Sequence, residues 1–147
     1  MPTVRLEFSP APAHVRTARL VAVAVARRAG VAEEVLDEVR LAVGEACSRA
    51  VALHQLYQLK ALVKVEMADG ARFTVRVSDR GPAETRPETG SVPDPVELVA
   101  ESDTSFPAPS VAVGMGLALL TGLVDDLQVV PRRDGAGTSV RMSWPTA

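Results

Sequence analysis

The chain has 147 residues, with 16 Lys and Arg residues against 18 Asp and Glu residues and a hydrophobic content of 47%. This length is sufficient for one domain whose core needs no disulfide or structural metal. The nearly balanced charge excludes the strong positive field that non-specific binding to a phosphate backbone requires, so nucleic acid is not expected as a direct partner.

Cysteine usage and hydropathy both predict a cytoplasmic protein. Cys47 is the one cysteine and His14 and His54 are the two histidines, so we expect no intrachain disulfide and no cluster of soft metal ligands. The amino terminus has no basic segment followed by a long apolar stretch, and the apolar run at residues 20–26 is too short to span a bilayer. We therefore expect neither secretion nor insertion into a membrane.

Five segments alternate apolar and other residues with period two, which is typical of strands with one covered face. Their apolar positions are Val4/Leu6/Phe8, Val63/Val65/Met67, Phe73/Val75/Val77, Leu127/Val129 and Val140/Met142/Trp144. Gly70 lies between the second and third segments, and Gly135 and Gly137 lie between the last two. These glycines are predicted to supply the positive φ angles of two tight hairpin turns.

Three segments have helical spacing. The first runs from about Pro12 to Ala29 and ends at Gly30, the second from about Glu33 to near His54, and the third from near Gly114 to about Val124. The first helix is predicted to bury one stripe, formed by Val15, Ala18, Ala22, Val25 and Ala29. Because the strands alternate rather than being apolar throughout, we expect a two-layer α/β sandwich, with a mostly antiparallel sheet and all helices on one face.

The segment from about residue 80 to 113 is rich in proline and belongs to neither layer. A loop of this length in a single domain of residues 1–147 is typically functional, and we predict a lid. After Arg80 its charged residues are mostly acidic, with Glu84, Glu88, Asp94, Glu97, Glu101 and Asp103 against Arg86.

Three short motifs bracket this predicted lid in serial order: Glu45-Ala46-Cys47-Ser48-Arg49-Ala50 on the second helix, Asp79-Arg80-Gly81 after a strand, and Gly114-Met115-Gly116 before the third helix. Each has an ordinary structural explanation when taken alone. Glu45 and Arg49 could form an intrahelical ion pair, the second motif could be a turn, and the third a helix junction. Their joint occurrence, in this order, indicates one nucleotide pocket.

With these motifs the chain resembles the histidine-kinase-like (GHKL) ATPase superfamily, whose domain is called the Bergerat fold, and within it the anti-sigma-factor serine kinases. The resemblance implies that Glu45 is the general base that activates a partner's serine. It also implies a nucleotide-binding set, which comprises Asp79, Gly81, Gly114, Met115, Gly116 and Thr138.

The resemblance further implies partners and an assembly. The partners would be a sigma factor and a STAS-domain anti-sigma-factor antagonist, and Arg16 and Arg19 on the first helix are candidates for contacting them. Relatives also form homodimers through the sheet and the first helix. A solvated helix face explains the two arginines equally well.

The chain departs from the family pattern at Arg49, where the family has an asparagine that ligates Mg²⁺. Arginine has five donors and no acceptor, so it cannot ligate a cation. Two unit charges 4 Å apart repel by about 4 kcal/mol at an effective dielectric near 20, and a divalent ion roughly doubles this. Mg²⁺ is therefore not expected, and ATP binding is expected to be at most weak, through contact of Arg49 with phosphate oxygens.

Two further departures disfavour a bound triphosphate. Ala83 replaces a glycine of the family's Asp-x-Gly-x-Gly box, which restricts the approach of the backbone. The acidic lid is also electrostatically unfavourable for a triphosphate.

Three hypotheses follow. The favoured one is an anti-sigma-factor-like regulatory protein that binds a sigma factor, a STAS-type antagonist or both, with ATP binding and kinase activity weakened or lost. The alternative is an active serine kinase that phosphorylates the antagonist, with Glu45 as the base and a relocated metal. The third is a sandwich that retains the fold for an unrelated interaction.

Overall fold

The computed structural model describes residues 3–82 and 118–146. Its elements follow in the order β1 (Thr3–Phe8), α1 (Pro12–Ala29), α2 (Glu33–Leu56), β2 (Val63–Ala68), β3 (Arg72–Ser78), β4 (Asp126–Pro131) and β5 (Thr138–Pro145). The strands form one sheet in the order β1-β2-β3-β5-β4, and each neighbouring pair is antiparallel. The predicted sandwich of a sheet and helices is confirmed, as are the five predicted strands.

The apolar positions of the strands lie on the face of the sheet that the helices cover. Val65, Val75 and Met142 are fully buried there. Phe73 on β3 lies opposite Trp144 on β5, and their stacked rings have centroids 6.1 Å apart. Because side chains alternate along a strand, the other face of the sheet carries the polar and charged residues and is not covered by α1 or α2.

Helix α1 begins and ends where the sequence predicted. Proline occupies its first turn, and Gly30 caps its carboxyl end at φ 96°, where its N–H bonds to the carbonyls of the last turn. The buried stripe is shifted from the prediction, because Ala26 is buried whereas Val25 and Ala29 are half-buried. The small alanines of this stripe let α1 pack closely against α2.

Helix α2 ends two residues beyond the predicted position and is more buried than an amphipathic helix. Residues 49–54 are all buried, although this run contains both Arg49 and His54. Charged and polar side chains of α2 therefore lie inside the protein, where each must find a partner.

The two hairpin turns differ in their use of glycine. Gly135 and Gly137 have φ angles of 134° and 132°, as predicted for the turn between β4 and β5. The prediction for Gly70 is wrong, since it is not among the residues with positive φ. The chain reverses over residues 69–71 without a positive φ at Gly70.

The third predicted helix is described only in part. Residues 118–123 are helical, and Leu120 and Val124 are buried against the core. Its predicted start near Gly114 and the predicted lid from residue 83 onwards lie outside the described residues. In the described ranges, no helix is long and apolar enough to cross a membrane.

Candidate functional site

The centre of the candidate site is a buried ion pair between Arg49 on α2 and Asp79 at the end of β3. The guanidinium Nη1 donates to Asp79 Oδ2 at 3.0 Å, and both side chains are 1% exposed. The predicted alternative, an ion pair of Arg49 with Glu45, is not present among the ion pairs of the described residues. Arg49 therefore bridges the helix layer and the sheet.

The second oxygen of Asp79 is also engaged by the protein. Asp79 Oδ1 accepts a hydrogen bond from the N–H of Gly81 at 2.9 Å, which closes a tight turn after β3. The N–H of Asp79 donates to the carbonyl of Thr138 at 3.0 Å and so ties the end of β3 to the start of β5. The carboxylate is thus held by α2 and by the turn after β3, and the backbone of Asp79 is held by β5.

Two glycines permit this close arrangement. A Cβ at Gly137 would overlap the backbone carbonyl of Asp79, and Gly137 also has a positive φ angle. A Cβ at Gly81 would overlap the side chain of Leu53 on α2. The packing around Asp79 therefore requires glycine at position 137, and a side chain at position 81 would force Leu53 to move, whether or not a nucleotide approaches.

His54 is a structural part of the site that the sequence did not identify. Its Nε2 accepts a hydrogen bond from the N–H of Arg80 at 2.9 Å, so the proton is on Nδ1, which donates to the carbonyl of Ala61 at 2.9 Å. The ring is fully buried. His54 therefore connects the loop after α2 to the backbone next to Asp79. The available signal was its position beside the apolar stripe of α2, where a polar side chain needs a partner.

The candidates on the helices have different surroundings. Glu45 is half-buried on α2, one turn before Arg49, and Arg16 is exposed on α1. Arg19 is half-buried, and its guanidinium lies against Gly44 of α2 where a Cβ would otherwise be. Arg19 thus packs between the helices and is less available to a partner than Arg16. A glycine within a predicted helix is the signal that could have indicated this contact.

Cys47 lies next to this contact and is chemically inert. It is fully buried. Burial raises the pKa of its thiol to about 12, and the charge of Arg19 only partly opposes this shift.

The structure brings four of the predicted site residues together: Arg49, Asp79, Gly81 and Thr138. Thr138 is buried at the start of β5, and its carbonyl accepts the hydrogen bond from the N–H of Asp79. The predicted contact of Arg49 with phosphate stays a prediction, since the structure directs Nη1 of Arg49 to Asp79. The glycine motif of Gly114, Met115 and Gly116 lies outside the described residues.

These residues do not fit magnesium and adenine in the expected manner. Arg49 offers only donors at the position from which a metal ligand is expected. Each oxygen of Asp79 already accepts a hydrogen bond from the protein, and the side chain is only 1% exposed, so an exocyclic amine has little access to the carboxylate. The carboxylate is therefore a structural anchor in this conformation.

Comparison with known proteins gives the same fold. A family model described as "Histidine kinase-like ATPase domain" matches residues 8–144. A crystal structure of the RsbU and RsbW domains of Rv1364c from Mycobacterium tuberculosis is similar, with a TM-score of 0.63 and 16% sequence identity over 99% of this chain. This chain spans about a third of the length of that one, at 33%. A search of curated proteins found no match.

Proposed function

The chain belongs to the histidine-kinase-like ATPase domain family, and we propose that it is a regulatory member that acts by binding partner proteins in the cytoplasm, with ATP binding and phosphotransfer weakened or lost. Its partners are a sigma factor, a STAS-domain anti-sigma-factor antagonist, or both. The motif order around Glu45 and Asp79 supports this assignment within the family.

The observation that carries the proposal is the buried pair of Arg49 and Asp79. An adenine amine that donated to Asp79 would have to reach a carboxylate that is 1% exposed and share it with a charge-assisted hydrogen bond of 3.0 Å from Arg49. Such a bond is worth about 1.5–3 kcal/mol, so a nucleotide that weakened it would lose affinity by up to that amount. The same arginine withholds the ligand that Mg²⁺ needs.

Isothermal titration of the purified chain with ATP and MgCl₂ tests the proposal. We expect the wild-type protein to give weak binding that does not depend on magnesium. The Arg49→Asn variant removes the competing donor and adds a carbonyl oxygen, so its affinity should rise at least about tenfold, or 1.4 kcal/mol, and depend on magnesium.

Arg40→Asn is the matched control, because Arg40 lies on the same helix but is exposed and contacts Asp37 at 3.1 Å. This variant should leave the titration unchanged. Tight, magnesium-dependent binding of ATP by the wild-type chain would refute the proposal. No gain in an Arg49→Asn variant that circular dichroism shows to be folded would instead assign the obstacle to Ala83 or to the acidic residues that follow it in the sequence.

An active serine kinase is the second candidate, and the position of Glu45 favours it. The side chain is half-buried on α2, and no hydrogen bond or ion pair engages it within the described part of the chain. A carboxylate in this state can accept a proton from a partner's serine. The test is transfer of radiolabel from ATP to a purified antagonist. Transfer by the wild-type chain, together with its loss in the Glu45→Gln variant, would establish this candidate.

Arg16 is the better probe of the partner surface on α1. Its side chain is exposed, whereas Arg19 packs against Gly44, so reversing the charge of Arg19 would also disturb the helix contact. Arg16→Glu should weaken co-purification of the partner from the native cell, with identification by mass spectrometry. Unchanged recovery would remove this surface from the proposal.

A further inference from the structure

The face of the sheet that points away from α1 and α2 contains a polar groove. It has a volume of about 600 Å³ and includes residues of β2, β3, β4 and β5 and of the turn after β4. We call it the cationic groove, and its charged members are Lys64, Glu66, Arg76, Arg132, Arg133 and Asp134. None of these residues belongs to the site around Asp79.

The acidic members of the cationic groove already have partners. Glu66 lies 3.6 Å from Arg5, and Asp134 lies 2.9 Å from Arg132. In contrast, the ion pairs among residues 3–82 and 118–146 include neither Lys64 nor Arg76 nor Arg133. Three cations therefore face the groove without an ion pair to a carboxylate of the described residues, although Glu7 lies opposite Lys64 in the strand register and the whole chain has a net charge of −2.

The strand register places two of the cations of this face side by side. Arg76 on β3 lies directly opposite Arg141 on β5, and like charges in this position destabilise a sheet. Glu66 is the other cross-strand neighbour of Arg76, but its carboxylate contacts Arg5 instead. An anion bound above Arg76 would remove this repulsion, so the arrangement favours an acidic partner.

The dimensions of the groove indicate an extended ligand. Lys64, Ser78, Ser139 and Val130 form one row across four neighbouring strands. With strands about 4.8 Å apart, this row is about 14 Å long, which corresponds to about four residues of an extended peptide at 3.4 Å each. A single phosphate group could contact only one end of such a row.

The floor of the groove can contact a peptide backbone. The hydroxyls of Ser78 and Ser139 lie 2.8 Å apart, and the two residues are only 4% and 8% exposed. A hydroxyl has one donor and two acceptor positions, so this pair retains capacity for further hydrogen bonds. Val130, at the end of the row, is 44% exposed and offers an apolar contact.

We propose that the cationic groove is a docking site for an extended acidic segment of a partner protein, whose carboxylates pair with Lys64 on β2 and with Arg133 in the turn after β4. Arg76 on β3 pairs with a further carboxylate of the same segment. The proposal is independent of nucleotide binding and of the surface around Arg16.

Fluorescence anisotropy tests the proposal with a fluorescein-labelled hexapeptide of sequence Glu-Asp-Gly-Ser-Glu-Asp and its amide counterpart Gln-Asn-Gly-Ser-Gln-Asn. We expect the acidic peptide to bind and the amide peptide not to bind. Lys64→Glu and Arg133→Glu should each weaken binding by about tenfold or more, because each replaces a charge-assisted hydrogen bond with a repulsion. These positions lie on the surface of the sheet, and circular dichroism would verify that the variants remain folded.

Arg28→Glu is the matched control, because it changes the net charge equally from an exposed position on α1. It should leave the affinity within about twofold, since charges beyond a Debye length of about 8 Å are screened at physiological salt. An equal loss in Arg28→Glu, or no binding of the acidic peptide, would overturn the proposal.

Displacement of the peptide by equimolar inorganic phosphate would indicate a single anion site instead. Light scattering measures the oligomeric state. If the wild-type chain is a dimer that Arg76→Glu dissociates, and the acidic peptide does not bind, this face would be assigned to a second copy of the chain.

Discussion

Replacing Arg49 by methionine tests how strongly the buried ion pair supports the fold. At the observed 3.0 Å, two unit charges attract by about 5.5 kcal/mol at an effective dielectric of 20. The variant loses this attraction and leaves the Asp79 carboxylate buried without its cation. Removal of one partner of a buried pair costs about 3–5 kcal/mol of unfolding free energy. For a chain of this size, this corresponds to a decrease in Tm of about 6–20 °C.

A double-mutant cycle separates the pair from other effects of the substitution. In Arg49→Met with Asp79→Asn no charge is left buried, and the asparagine can still accept the hydrogen bond from Gly81. We therefore expect the double variant to be about 2–3 kcal/mol more stable than the sum of the single losses predicts. Urea unfolding followed by circular dichroism measures each free energy.

The exposed pair of Arg40 and Asp37 on the same helix is the control, since its side chains are 55% and 84% exposed. The corresponding cycle, with Arg40→Met and Asp37→Asn, should give a coupling energy below about 1 kcal/mol. Equal coupling energies for the two pairs, or a coupling below about 0.5 kcal/mol for the buried pair, would refute the reasoning.

Three other predictions concern the surroundings of the site. Gly137→Ala should lower the unfolding free energy by about 1–3 kcal/mol, because Gly137 has a positive φ angle and its Cβ would meet a backbone carbonyl. Gly122→Ala is the control, because Gly122 is helical with open space around it, and this variant should be neutral or stabilising. Urea unfolding measures both free energies. Cys47, whose pKa is raised to about 12, should react with a thiol reagent only after unfolding, and rapid labelling of the native protein would contradict its burial. The hydrogen bond from Arg132 lowers the pKa of Asp134 to about 2. The stabilisation by this carboxylate should therefore be present at neutral pH and be lost as the pH falls through that value. In the Arg132→Gln variant, an NMR titration should show that the pKa of Asp134 rises.

Local sequence patterns were sufficient to predict most of the architecture. The period-two segments became strands because each has one apolar face, and Pro12 and Gly30 mark the ends of α1 because of their backbone preferences. The error at Gly70 has the same origin: glycine permits a positive φ angle but does not require it.

The sequence by itself determined the elements, the antiparallel sandwich and the substitution that places a guanidinium where a metal ligand was expected. Only the tertiary structure decided what that guanidinium contacts. Its partner lies 30 residues away on another layer, and no helical spacing or turn pattern relates the two positions. The same holds for His54 and for the cations of the sheet face. Periodicity determines which way a side chain points along its own element, whereas its partner depends on how the layers pack.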